Sequence, residues 1–368
     1  MKILYDQQIF GWQDYGGISR YIYELALEMA TTYGQDTNIV SPLYVNQYLK
    51  CAPGALKVYG VPIGHIPRTG RVVHAVNFFL TWPIIRYLHP DIVHETYYSS
   101  RRIAPKSTKV VLTVYDMIHE RFSELFSKND PTSRKKALAV ERADHVICIS
   151  EQTRQDLIEL FGVNPAKTSV VYLGFTLTDQ DKPVQKADTS ARPFLLYVGG
   201  RGGYKNFEKL LHAYAASSML RNDFDLVCFG GGELTAKEKD LFQRLALASG
   251  SVRQVSGDDA SLAEYYKLAS AFIYPSLYEG FGIPPLEAMS FDCPVVCSGV
   301  SSIPEVVGDA AEMFDPYEPD SIRMAIERVV SDDVLKQALI ARGRERIKLF
   351  SWRRCAQETL DVYRRVLS

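Results

Sequence analysis

No stretch of the 368-residue chain reaches the roughly 20 consecutive apolar residues that a membrane-crossing helix needs. The most apolar run, Val72–Leu88, is interrupted by His74, Asn77 and Arg86. Cysteine is scarce: the six at positions 51, 148, 228, 293, 297 and 355 never form a Cys-x-x-Cys pair. Most lie in apolar segments such as Val146–Ile149 and Val295–Cys297, as reduced, buried thiols of a cytosolic protein would. Charge of one sign is not in excess either. There are 42 Lys and Arg against 43 Asp and Glu, a net charge of −1, so the chain as a whole is not built for nucleic acid. A Gly-x-Ser-x-Gly elbow, a P-loop and a Cys–His ligand cluster are all missing, which sets aside α/β-hydrolases, P-loop NTPases and zinc hydrolases. Met1–Tyr5 reads as a short strand, not as the apolar core of a signal peptide.

What is present is an alternation of short β-branched runs with helical stretches, the pattern of α/β architecture with parallel sheets. Strands are expected at Lys2–Tyr5, Asn38–Val40, Asp91–His94, Lys109–Thr113, His145–Ile149 and Ser169–Val171. A polar segment at 176–193 breaks the rhythm and reads as an interdomain linker. Strands resume at Phe194–Val198, Phe224–Phe229, Val252–Val255, Ala271–Tyr274, Pro294–Cys297 and Ala311–Phe314. The expected division is a first domain over 1–175, a second over 194–350, and a last helix over 351–368 crossing back to the first. Two doubly wound, Rossmann-like domains of this kind should face each other across a cleft, at the carboxyl ends of their strands.

Three segments carry the chemistry. In Pro275-Ser-Leu-Tyr-Glu279-Gly280-Phe281-Gly282-Ile283-Pro-Pro-Leu-Glu287, a strand runs through a glycine loop into a helix. Gly280 and Gly282 let the backbone approach a ligand, and amides near Ile283–Leu286 suit an anion. Glu279 and Glu287 are eight residues apart and suit two sides of one ligand, unless both simply face water. In Gly199-Gly-Arg201-Gly-Gly-Tyr-Lys205-Asn206, a glycine-rich turn holds two cations, a pattern suited to a diphosphate; a plain tight turn is the other reading. Gly230-Gly231-Gly232-Glu233 is either a further phosphate-facing turn or an ordinary βα turn. Asp223-Phe-Asp225 has the Asp-x-Asp pattern of metal-dependent sugar transfer but stands at a turn before a strand, so no metal site is assigned. In the first half, Gly16 and Gly17 open a helix, while Asp116 and His119 follow a strand and should lie at the cleft edge.

Taken together, EGFGIPPLEAM, VGGRGGYKN, GGGE, YGGISRY and the closing FSWRRCAQETL resemble the GT-B glycosyltransferases of family 4, over nearly the whole chain. Within that family they are similar to the mannosyltransferase B-like subgroup of bacterial O-antigen enzymes. The resemblance implies a retaining transferase that moves a hexose from a nucleotide-diphosphate sugar to a saccharide, requiring no cofactor and no metal. GDP-mannose is the favoured donor, with a UDP- or dTDP-sugar as alternatives. It implies that Glu287 binds the ribose and Glu279 the donor sugar, and that Arg201 and Lys205 hold the diphosphate. Amides of Phe281–Ile283 orient the donor, and Gly16 and Gly17 belong to a loop closing over its phosphates. The family has a His where this chain has Tyr115; His119, four residues on, is the candidate substitute. A sugar-nucleotide epimerase of the same fold and a non-catalytic nucleotide-binding protein are the alternatives.

The segment from Lys50 to Lys136 carries about 14 Lys and Arg against about 6 Asp and Glu. Apolar residues of Val72–Leu88 lie among them. The expectation is a cytoplasmic enzyme that associates peripherally with the inner face of the membrane, where a lipid-linked saccharide acceptor is presented. An ordinary core helix with a solvated basic loop at 134–136 is the other reading.

Overall fold

The computed structural model describes residues 1–64, 70–176 and 192–368; the Arg71 side chain is also outside the description. The expected linker at 176–193 therefore falls almost wholly outside the described residues, as does Arg68 of the basic segment Lys50–Lys136. The chain forms two compact units, Met1–Gly174 with Phe350–Ser368, and Phe175–Leu349.

The first unit is built on seven parallel strands: β1 (Lys2–Tyr5), β2 (Asp36–Tyr44), β3 (Lys57–Pro62), β4 (Ile92–Glu95), β5 (Lys109–Val114), β6 (His145–Cys148) and β7 (Thr168–Val170). Their order is β3-β2-β1-β4-β5-β6-β7, so the chain reverses direction across the sheet between β1 and β4. The inner strands β1, β4 and β5 are buried at every position except Lys2 and Lys109 at their starts, as expected of a parallel sheet covered on both faces. Edge strand β3 is exposed and mixed in composition, which is why no strand was expected there. Helix starts follow their side chains. Ser150 accepts the amide of Thr153 at the start of Glu151–Phe161, and Gly162 ends that helix in the left-handed region. The last helix, Trp352–Leu367, begins at Ser351 and packs on Gly17–Thr31. Gly174 makes that approach possible: a Cβ there would lie 2.3 Å from the Trp352 amide nitrogen.

The second unit has six parallel strands: β8 (Phe194–Val198), β9 (Asp225–Phe229), β10 (Val252–Val255), β11 (Ala271–Tyr274), β12 (Val295–Ser298) and β13 (Ala311–Phe314). The order β10-β9-β8-β11-β12-β13 places its reversal between β8 and β11. Its core joins Leu195, Tyr197 and Ile273 from the strands to Leu210, Leu211 and Ile326 from helices Phe207–Ala216 and Pro319–Ser331. Two doubly wound parallel sheets are thus present, each with one reversal point.

Candidate functional site

Where strand order reverses, the loops on either side diverge and leave a crevice at the carboxyl ends of the strands. In the second unit those loops follow β8 and β11, and they carry the glycine-rich turn and the two-glutamate segment. Lys205, after β8, reaches Glu279, after β11: Nζ and Oε1 are 2.7 Å apart. Both side chains are largely covered, Glu279 the more so. The ammonium also lies 5.2 Å from the Tyr204 ring and 5.9 Å from the Tyr274 ring. Burial, with Glu279 nearby, pushes the Tyr274 hydroxyl well above its usual range, so it stays protonated as a donor.

Three side chains to which the sequence reading gave no role hold these loops together. Asn206 adopts a left-handed conformation at the end of the β8 loop, and its amide donates to the carbonyls of Pro275 and Pro316. Ser301 and Ser302, after β12, both donate to the Glu279 carbonyl, and Ser302 also to that of Phe281. The only advance signal was Asn206, because asparagine tolerates left-handed backbone in turns.

Arg201 is placed differently from what a diphosphate ligand would suggest. Its side chain is 3% exposed and faces the β9 loop. Nε donates to Glu238 at 2.6 Å, and the terminal nitrogens donate to the carbonyls of Gly230, Gly232 and Glu233. Gly230, Gly231 and Gly232 are all left-handed, with φ between 70° and 77°, and the turn they form presents the carbonyls of Gly230, Gly232 and Glu233 to this cation. A Cβ on Gly231 would sit 2.4 Å from the Gly199 carbonyl oxygen. Arg201 thus clasps the β8 and β9 loops together, and four of the five guanidinium donors are already engaged.

Helix Ile283–Ser290 begins after Gly282, whose φ of 100° only glycine adopts readily. Pro284 and Pro285 occupy its first turn, so of the first four residues only Ile283 and Leu286 carry an N–H. The expected row of amides at Ile283–Leu286 is therefore halved. Gly280 and Phe281 lie in the strapped loop just before it. Glu287, on this helix, is half-buried and accepts from the Tyr266 hydroxyl at 3.3 Å. The Asp-x-Asp pair lies at the other end of the sheet, where Asp225 starts β9 and Asp223 ends a helix. Among the described residues no group of three His, Cys, Asp or Glu is placed to hold a metal ion.

In the first unit, Gly16 caps helix Gly17–Thr31, and its carbonyl accepts from the Ser19 hydroxyl. Asp116 accepts the Ile118 amide and lies 3.8 Å from the buried Lys136 ammonium. The ring of His119 stacks on Phe126 with centroids 3.9 Å apart, and Nε2 is 3.9 Å from Asp130. Tyr115 is buried, and its hydroxyl donates to the Thr96 carbonyl. Thr96 in turn donates to Asp6, tying together the loops after β4 and β1.

Comparison with known proteins is consistent along the chain. Residues 15–179 match Glycosyltransferase Family 4, and residues 179–346 match Glycosyl transferases group 1. O-antigen chain mannosyltransferase B of Escherichia coli is 32% identical over 271 residues, covering 70% of each protein. The serotype-specific mannosyltransferase WbdA of the same species is 29% identical over 279 residues, covering 70% of this chain but only 34% of its own length. Among solved structures, Anabaena Alr3699/HepE in complex with UDP and glucose has a TM-score of 0.69 at 17% identity, over 98% of this chain and 99% of that one.

Proposed function

This chain belongs to the GT-B glycosyltransferases of family 4, and we propose that it transfers a hexose, with retention, from a nucleotide-diphosphate sugar to a saccharide acceptor in bacterial surface polysaccharide synthesis. The observation that carries this reading is the Lys205–Glu279 pair at the sheet reversal. A nucleotide sugar presents a phosphate oxygen and sugar hydroxyls a few bonds apart. A cation and a carboxylate held in contact match that combination: the ammonium donates to phosphate, and the carboxylate accepts from hydroxyls. Glu287, on the next helix, takes the ribose. Arg201 acts on the diphosphate through the loops it clasps. Gly230 and Gly231, with the loop Gly280–Ile283, line the donor, and Gly16 and Gly17 are assigned to its phosphates.

As the glycosidic bond breaks, negative charge gathers on the diphosphate. Lys205 stabilises that charge more than the ground state, which is what accelerates the step. The acceptor hydroxyl attacks the face the leaving group departs from, and the leaving phosphate takes its proton. Asp116 and His119 are assigned to the donor sugar, with His119 as the candidate substitute for the family's His at Tyr115. Mannose from GDP-mannose is the favoured transfer, supported by the mannosyltransferase relatives, while a UDP donor has support from the UDP-bound structural neighbour. No metal or cofactor is required in this reading, because the cation is supplied by the chain. The acceptor is a lipid-linked saccharide at the inner face of the membrane.

The test is a thermal-shift panel of GDP, UDP, ADP and dTDP, followed by transfer from the matching sugar donor in EDTA with the product anomer read by NMR. A nucleotide at 100 times its dissociation constant stabilises the fold by about 2.7 kcal/mol. Stabilisation by none of the four would overturn the reading, and an inverted anomer would overturn retention.

A further inference from the structure

Helix Gly70–Leu88 is amphipathic in an inverted sense. Its inward face is Asn77, Thr81, Ile85 and Leu88, all buried. Asn77 fixes it to β2 by exchanging hydrogen bonds with the Leu43 backbone, 2.7 Å to the amide and 2.8 Å to the carbonyl. The outward face carries Val72, Ala75, Phe79, Trp82, Pro83 and Tyr87. Phe79 is 72% exposed, Trp82 49% and Tyr87 82%. Apolar side chains recur there at three- and four-residue spacing, so the exposure is continuous along the helix. A contiguous aromatic face of this kind on a monomer marks an interaction surface.

The charges around it point to the partner. Arg86 lies over the Trp82 ring at 4.7 Å, and Arg101 over the Phe78 ring at 5.5 Å. The helix contains no acidic residue, and none occurs between Asp36 and Asp91 in the chain, a span that includes Lys50, Lys57 and Arg86. A second copy meeting this face symmetrically would set like cations against each other. Aromatic side chains flanked by arginines on an acid-free face are complementary to an interface of acyl chains and anionic headgroups. Lys136 of the basic run 134–136 does not extend the surface, because it is buried and bonded to Glu120 at 2.7 Å. Nor does Arg102, which is turned inward onto the carbonyls of Ala104, Pro105 and Thr108.

We propose that helix Gly70–Leu88, with Arg101, is the element by which this protein docks on an anionic lipid surface. This rests on the reading that its acceptor is presented at a membrane, and it names the surface that meets it.

The experiment is vesicle flotation of the full chain at low and high salt. The vesicles are phosphatidylcholine, either alone or mixed with phosphatidylglycerol. Wild type should float with the anionic vesicles at low salt and be released by salt. R86Q/R101Q should weaken partition by about fivefold for each arginine. F79S/W82S should abolish binding while circular dichroism and thermal midpoint stay unchanged, since both side chains are exposed. If wild type binds and F79S/W82S binds equally, the docking helix is wrong while membrane association stands. If wild type ignores both vesicle types at low salt, both fall. A concentration-dependent dimer that F79S/W82S dissolves would make a second copy the occupant and overturn the proposal. None of these readouts depends on donor or transfer, so the glycosyltransferase reading is tested separately.

Discussion

Lys205 Nζ lies 2.7 Å from Glu279 Oε1 although the two residues are 74 positions apart. The β8–β11 adjacency brings them together, and Asn206 and Ser301 fix the two loops that carry them. Each side chain is therefore held in place by its partner and by the loop beneath it. Lys205→Ala should cost one charge-assisted hydrogen bond, about 1.5–3 kcal/mol, or about 10- to 100-fold in kcat. Glu279→Ala combined with Lys205→Ala should cost less than the sum of the single losses, because each single variant leaves its partner uncompensated. Steady-state kinetics on the four proteins measures this, and additive losses would separate the roles of the pair.

Arg201→Lys should destabilise the second unit by about 3 kcal/mol. A lysine supplies one point charge where the guanidinium reaches one carboxylate and three carbonyls at once. Differential scanning calorimetry gives the shift. If the thermal midpoint is unchanged while nucleotide affinity falls tenfold, the residue contacts the diphosphate directly and is not a clasp.

The two glutamates should separate kinetically. Glu287 sits on a helix and accepts from the Tyr266 hydroxyl at 3.3 Å, whereas Glu279 is paired with a cation at the reversal. Glu287→Ala should weaken nucleoside diphosphate binding by calorimetry. Glu279→Ala should mainly lower kcat, leaving nucleoside diphosphate affinity within about threefold. The reverse pattern would exchange the two assignments.

Much of the fold could be read directly, and the reason is physical. Buried parallel strands are apolar runs, so β1, β8 and β11 stand where their residues announce them, and edge strands β10 and β13, though only partly buried, also lie at the expected positions. Edge strand β3 was not legible, because Lys57-Val-Tyr-Gly-Val-Pro62 packs little and contains Gly60, where a Cβ would collide with the Ser41 carbonyl. The residues of the candidate site were nameable from glycine loops and charge, but their pairings were not. Sheet order decides that Lys205 meets Glu279, and three left-handed glycines decide that Arg201 faces the chain's own carbonyls. Similarly, nothing in the Tyr115 neighbourhood of the sequence announces that its hydroxyl is taken by Thr96.

Acid should weaken the first unit through His94. This side chain is fully buried on β4, with Nδ1 2.6 Å from the Tyr363 hydroxyl and Nε2 2.8 Å from that of Thr113. Burial lowers its pKa from 6.5 to about 3, so the folded protein keeps it neutral. Below pH 6.5 the unfolded chain takes a proton that the folded chain refuses until about pH 3. The stability tied to neutral His94 is therefore present above pH 6.5 and lost as pH falls through that window, by about 1.4 kcal/mol per unit, or about 2 kcal/mol at pH 5. Its neighbour Glu95 works in the opposite sense. Burial raises that carboxyl to about 7 despite the Arg142 guanidinium bonded to it, so its contribution is full below pH 4.5 and is lost as pH rises through 7. The two partly cancel in wild type, and His94→Gln separates them. All three tryptophans, Trp12, Trp82 and Trp352, belong to the first unit, so urea unfolding followed by tryptophan fluorescence reports on that unit alone. The stability difference between wild type and His94→Gln should shrink by about 2 kcal/mol between pH 6.5 and pH 5. A difference that stays flat across that range would mean that His94 takes up its proton in the folded state, and that the Tyr363 contact accommodates the imidazolium.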